Sequence, residues 1–138
     1  DGSVAGMRVW VVEDDALVRT ALAAQLAAWG CDYTMLTGRQ GVFEARSVQG
    51  GWPDAIILDD MLGPRETGLE IANEIAPHVG AGRILLVSGN SNPERLAELR
   101  QSGYGFMAKP ASSGRLRAWL APLHQAAMDT EDAAATAG

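Results

Sequence analysis

The chain has 138 residues, with 17 acidic and 11 basic side chains, a formal charge of −6 and one cysteine. That length suits one domain with a real core, while a single cysteine excludes an internal disulfide and no Cys/His cluster has zinc-ligand spacing. A chain with pI near 4.8 is a poor nucleic-acid binder, and its short aliphatic runs give neither a membrane span nor a signal peptide. Ten of the eleven basic residues are arginine, and the one lysine, Lys109, directly precedes Pro110. In a chain so poor in lysine, general solubility does not explain its position.

Residues 1–6 are small and polar, and are set aside from the fold as a linker end or cloning scar. Apolar runs at Val9–Val12, Ala55–Leu58, Ile84–Val87 and Gly105–Ala108, with a more polar one at Cys31–Leu36, predict five strands covered on both faces. Between them, Leu17, Val18, Ala21, Leu22, Leu26 and Trp29 keep helical spacing, with Gly30 as a stop. Val42 and Ala45 mark a second helix, and Leu69, Ala72 and Ile75 a third that ends near Pro77. Pro93 opens a fourth after the cap Asn92, with Leu96 and Leu99 inward. Ser112 or Ser113 caps a fifth carrying Leu116, Trp119, Leu120 and Leu123. The domain thus spans residues 7–123, and residues 124–138 form a tail that extends the last helix or frays.

Five strand–helix pairs predict an α/β fold with a parallel sheet and helices on both faces. Ligands in such folds bind beyond the carboxyl ends of the strands. There the sequence places Glu13-Asp14-Asp15, Asp59-Asp60, Ser88-Gly89-Asn90 and Lys109-Pro110. A lone acid at such a point is commonly a helix cap, the better role for Asp15. Together, however, adjacent carboxylates repel unless a cation is present, and three hard oxygen donors suit Mg²⁺. A metal, an ionised aspartate, one ammonium and one hydroxyl suggest phosphoryl chemistry with a carboxylate nucleophile. His78 and His124 lie in or after helices, read as surface or helix-end positions, and offer no catalytic histidine.

Val-Val-Glu-Asp-Asp at 11–15, Ile-Ile-Leu-Asp-Asp at 56–60, Val-Ser-Gly at 87–89 and Gly-Phe-Met-Ala-Lys-Pro at 105–110 are weak alone and specific in combination. From about Met7 to Leu123 the chain resembles a receiver domain of bacterial two-component signalling. The resemblance implies a flavodoxin-like fold of five parallel strands in the order 2-1-3-4-5, and a cis Lys109–Pro110 bond. It implies Asp59 as phosphoacceptor, and Glu13, Asp14, Asp59 and the Met61 backbone carbonyl as Mg²⁺ ligands. Ser88 becomes the switch hydroxyl, Lys109 the phosphate-pairing lysine and Phe106 the switch aromatic. The implied partner is a histidine kinase or a histidine phosphotransfer domain, met on the face around Ala16, Leu17 and Ser112. A weak homodimer is left open, with no direct nucleic-acid or membrane partner. The implied setting is cytoplasmic. By itself such a domain is not an enzyme beyond Mg²⁺-dependent self-phosphorylation and autodephosphorylation.

Three departures qualify the resemblance. Phe106 stands where many receivers have tyrosine, the loop 61–68 is one residue longer than the commonest form, and Ala111 replaces the phenylalanine that usually follows Lys-Pro. The longer loop hints at the receiver of a hybrid sensor kinase. An interaction module that regulates a kinase without phosphate turnover is the alternative reading. A small phosphatase would want a second aspartate at residue 61, which is Met, and a flavin site would want amide-rich rather than acidic loops. Elsewhere, Cys31 is read as a buried apolar residue, Trp52 as an exposed aromatic contact, and Arg65 and Glu66 as solvated charges.

Overall fold

Residues 3–137 are described by a computed structural model of the protein; Asp1, Gly2 and Gly138 lie outside them. The strands are β1 (Arg8–Val12), β2 (Asp32–Leu36), β3 (Ala55–Asp59), β4 (Ile84–Ser88) and β5 (Gly105–Ala108). The helices are α1 (Ala16–Ala28), α2 (Arg39–Gln49), α3 (Gly68–Val79), α4 (Pro93–Arg100) and α5 (Ser113–Ala137), with one short 3-10 turn at Ala81–Arg83. All strand pairs are parallel, in the order β2-β1-β3-β4-β5.

Period-two alternation divides the strand residues between two cores. Trp10, Val12, Ile56, Leu58, Ile84 and Leu86 pack with Ile71 and Ile75 of α3, Val42 of α2 and Leu99 of α4. Val9, Val11, Ile57, Leu85 and Val87 pack on the other side with Leu26 of α1 and with Leu116 and Leu120 of α5. Every residue of β3 and β4 is buried, which is why those runs read as continuously apolar. The register sets Val12 beside Leu58, Asp59 beside Val87 and Ser88 beside Ala108. The carboxyl ends of four strands therefore finish along one rim.

Capping follows the sequence where a short polar side chain precedes a helix. Asp15 Oδ1 accepts from the Leu17 and Val18 amides at 2.9 and 3.2 Å, and Asn92 Oδ1 accepts from the Glu94 and Arg95 amides at 2.9 and 3.2 Å. One helix runs past the proline expected near its end, and the last helix extends into the tail. α3 passes Pro77 to Val79, closed by Gly80 N–H donating to Ala76 O at 2.9 Å, because buried Ile75 and Val79 anchor its last turn. α5 likewise passes Pro122 and continues to Ala137.

Three expectations need correcting. Val4, in the segment set aside from the fold, is 1% exposed and belongs to the core under α1 and α5. Gly6, at φ +82°, turns the chain back, and its amide donates to Gly30 O at 2.8 Å, so the segment is tied to the end of α1. Trp52 is half-buried rather than exposed: its ring lies 5.9 Å from those of Trp10 and Phe43 and stacks on His78 at 5.7 Å. Its apolar area closes the floor of the α2–α3 side, which a solvent position would forgo. His124 is half-buried within α5, not at a helix end.

Val4→Ala removes two buried methyl groups and is expected to lower unfolding free energy by about 1–2.5 kcal/mol. Urea denaturation checks this; an unchanged midpoint would mean the segment contributes nothing to the core.

Candidate functional site

Three strand ends meet at Lys109. Its amide donates to Ser88 O at 2.8 Å, which continues the β4–β5 pairing one residue past the strand, and the Lys109–Pro110 bond is cis. The side chain then runs past Gly89, where an added Cβ would sit 3.6 Å from Lys109 Cδ. Nζ donates to Glu13 Oε1 and to Asp59 Oδ2, both at 2.9 Å. Glu13 follows β1, its amide donating to Leu36 O at 2.9 Å, and is 2% exposed; Asp59 ends β3 at 6%. Asp59 Oδ1 accepts from the Met61 amide at 3.2 Å, and Asp14 stands exposed beside them. Arg19 from α1 donates to Glu13 O at 2.9 Å and steadies the acidic loop.

The remaining expected residues lie around this cluster. Ser88 is 1% exposed and its Oγ accepts from the Asn90 amide at 3.1 Å, so the hydroxyl oxygen is engaged within its own loop. The Met61 side chain is exposed, while its backbone pairs with Thr67 in an antiparallel bridge. Phe106 is half-buried against the α2–α4 core, with the Arg100 guanidinium 5.4 Å over its ring. Glu13, Asp14, Asp59 and Lys109 are thus assembled directly, and Phe106 belongs to the packing beside them.

Charge at the rim is unbalanced: three carboxylates face one ammonium. Burial, reinforced by the hydrogen bond to Asp59, pushes Glu13 above the usual carboxylate range despite its contact with Lys109. Burial works against the Lys109 charge, but the hydrogen bonds to Asp59 and Glu13 outweigh it and hold the ammonium above its ordinary pKa. Glu13, Asp14 and Asp59 each offer an oxygen within 4.8 Å of the others. Small side-chain rotations bring such oxygens onto one hard divalent ion at ~2.1 Å, so the donor set fits Mg²⁺.

The loop after β3 holds residues whose roles the sequence reading did not identify. Thr67 caps α3 in a Thr-x-x-Glu sequence: its Oγ1 accepts from the Glu70 amide at 3.2 Å and its hydroxyl donates to Glu70 Oε1 at 2.9 Å, a pattern visible in the sequence. Gly68 packs so tightly under the site that an added Cβ would stand 2.4 Å from Asp59 O. Glu66, expected to be solvated, accepts from the Arg39 amide at 2.8 Å and caps α2, whose own N-cap residue, Gly38, has no side chain to do so. Asp60 does not join the rim. It is fully buried on the opposite face of the sheet and bound by Arg95 through Nε at 2.8 Å and a terminal nitrogen at 2.7 Å.

Beside the cluster, a groove of about 450 Å³ opens between α1 and α5. Leu17, Val18, Leu22, Ala111 and Leu116 line it, with Lys109 at one end; Leu17 is 83% exposed.

The family model described as "Response regulator receiver domain" matches residues 9–121. Among solved structures, a Francisella response regulator receiver domain superposes with a TM-score of 0.73 at 19% identity, over 88% of this chain and 99% of that one. The receiver domain of sensor histidine kinase PA1611 from Pseudomonas aeruginosa, with a magnesium ion coordinated in its active-site cleft, gives 0.71 at 25% identity, over 88% and 99%. NtrX from Brucella abortus gives 0.74 at 21%, over 94% of this chain and 29% of that one. No curated protein matches the sequence.

Two outcomes follow from this geometry. Mg²⁺ at a hundred times its dissociation constant is expected to add about 2.7 kcal/mol of stability. Asp14→Asn is expected to remove most of that gain, and Asp32→Asn none of it; calorimetry with and without the ion decides, and an equal gain in both variants would dismiss the cluster as a metal site. Gly68→Ala should gain ~1 kcal/mol of helix propensity and lose more to the backbone clash, for a net loss of about 1–3 kcal/mol. A Gly68→Ala protein as stable as the parent would show that the backbone yields there.

Proposed function

The chain belongs to the response regulator receiver domain family, and from that membership we propose that it takes a phosphoryl group from phosphohistidine onto Asp59. The donor is a histidine kinase or a histidine phosphotransfer domain. The observation that carries this reading is a nearly buried carboxylate at a strand end, held 2.9 Å from the chain's one lysine with two more acids beside it.

A carboxylate oxygen of Asp59 attacks phosphorus. The new O–P bond forms as the P–N bond of phosphohistidine breaks, and the leaving imidazole nitrogen keeps the electron pair and is protonated from solvent. Mg²⁺, held by Glu13, Asp14, Asp59 and the Met61 carbonyl, supplies charge neutralisation for the phosphoryl oxygens. Lys109 orients the Asp59 carboxylate beforehand and then pairs with a phosphoryl oxygen, as a compact ammonium can where a forked guanidinium would crowd the site. The Ser88 hydroxyl turns from the Asn90 amide to another phosphoryl oxygen and draws its loop along. Phe106, beside that loop, moves with it. The donor helix lies along the apolar groove of α1 and α5, which ends at Lys109 and suits a transient interface.

The product is a mixed carboxylic–phosphoric anhydride that water cleaves at the same site. The domain is thus a phosphorylatable switch and turns over no other substrate. No helix among the described residues is long and apolar enough to cross a membrane. Because the phosphoryl group of a kinase derives from ATP, the exchange is placed in the cytoplasm.

Incubation with Mg²⁺ and a small phosphodonor such as phosphoramidate is expected to add one phosphoryl group by intact-mass measurement. Asp59→Asn abolishes the adduct, and Lys109→Ala slows its formation by ~100-fold, the scale for losing one charge-stabilising donor. An adduct of unchanged yield in Asp59→Asn would place the acceptor elsewhere.

A further inference from the structure

Asp60 follows Asp59 in the chain, yet the pleat sends its side chain to the opposite face, toward α4. There the Arg95 guanidinium holds both carboxylate oxygens, at 2.7 and 2.8 Å, and also reaches Glu98 at 2.5 Å. Arg95 lies in the first turn of α4, and its amide is one of the two that Asn92 caps. The Asn92 amide donates to Asn90 Oδ1 at 2.8 Å, and the Asn90 amide to Ser88 Oγ at 3.1 Å. β4 in turn is bonded back to Asp60, whose amide donates to Val87 O at 2.9 Å. A closed ring of bonds thus runs from Asp60 through Arg95, Asn92, Asn90 and Ser88 to β4 and back.

We propose that the Asp60–Arg95 pair is a latch on the β4–α4 loop, holding it in the arrangement where the Ser88 hydroxyl faces its own loop. The latch rests on the phosphoacceptor reading of Asp59 and sets how readily phosphorylation there shifts the loop. Moving the first turn of α4 stretches two charge-assisted bonds and strips a fully buried carboxylate of its partner, where water does not replace it. That cost falls on the moved state alone. A phosphoryl group on Asp59 must overcome it through the contacts it makes only in that state. Arg95 acts through Asp60 and the loop, so it is a positioning residue.

Removing one partner would orphan the other charge, so the test replaces both with apolar side chains of similar length, Asp60→Leu with Arg95→Met, in the full chain. In the protein without ligand, exchange of the Leu96 amide, which donates to Asn92 O at 3.0 Å, is expected to quicken by about tenfold while β3 and β4 amides stay protected. With Mg²⁺ present, the affinity for beryllofluoride, a mimic of the phosphoryl group, is expected to rise by about fivefold or more. A merely damaged fold would weaken that affinity. Unchanged exchange, or unchanged or weaker beryllofluoride binding by a folded double variant, overturns the latch. If the apolar pair does not fold, Asp60→Asn with Arg95→Gln carries the same two measurements. A parent protein that binds no beryllofluoride at all overturns the phosphoacceptor reading and the latch with it, a failure distinct from equal binding by parent and variant.

Discussion

One ammonium between two buried carboxylates organises this molecule. Lys109 touches Glu13 and Asp59 at 2.9 Å each, and those contacts bind the ends of β1, β3 and β5 into one rim. Two like charges ~4 Å apart repel by about 4 kcal/mol at an effective dielectric constant near 20, so the acids need a cation between or beside them. Burial weakens a lone ammonium, yet two acceptors keep this one charged. Site and rim therefore stand or fall together: the same contact that ties these strand ends together also orients the Asp59 carboxylate. A guanidinium would bring a planar fork in place of the compact ammonium that here bridges two acids from a single nitrogen. That task fits a lysine at position 109 in a chain whose other ten basic residues are arginine.

β3 distributes two tasks to its two faces. Asp59 points toward the acids and the α1–α5 side, where it lines the open groove. Asp60 points toward α3 and α4, where it meets Arg95. The turn after them is fixed from below by Gly68, whose missing side chain lets α3 begin against the Asp59 carbonyl, and from the side by Glu66 on the start of α2. The proposed phosphoacceptor on one face is thus one peptide away from a charge pair on the other.

β1, β3 and β4 were legible because each is a short apolar run, and the rim was legible because a parallel sheet brings its carboxyl ends together whatever the sequence distance. Lys109 lies 96 residues from Glu13 and 50 from Asp59, yet one topological rule collects all three. No such rule pairs Asp60 with Arg95, 35 residues on, or Glu66 with the Arg39 amide, 27 residues back. Those partners sit on helix surfaces, where many charges could meet and packing alone chooses. Val4 and Trp52 escaped for a related reason. A valine after a serine and a tryptophan before a proline carry no periodicity, and only the finished core shows the spaces they fill.

One of the lightest apolar attachments in the fold lies next to the loop that holds the Ser88 hydroxyl. α3 buries five residues, whereas in α4 Leu99 alone is buried. Arginines at the two ends hold α4 instead: Arg95 on Asp60 in the first turn, and Arg100 over the Phe106 ring at the last residue. Apolar burial gives a helix a broad, undirected hold, but an ion pair or a cation over a ring depends on a specific position and is lost once that position shifts. A helix fastened in this way has few intermediate placements available. It stays where its charges are met, or it moves as a unit. On the proposed reading, charge added on Asp59 would arrive beside that choice, at the end of the strand whose next residue is the helix's principal anchor, and the pinning of α4 by charge rather than by core would make it the element such a charge moves.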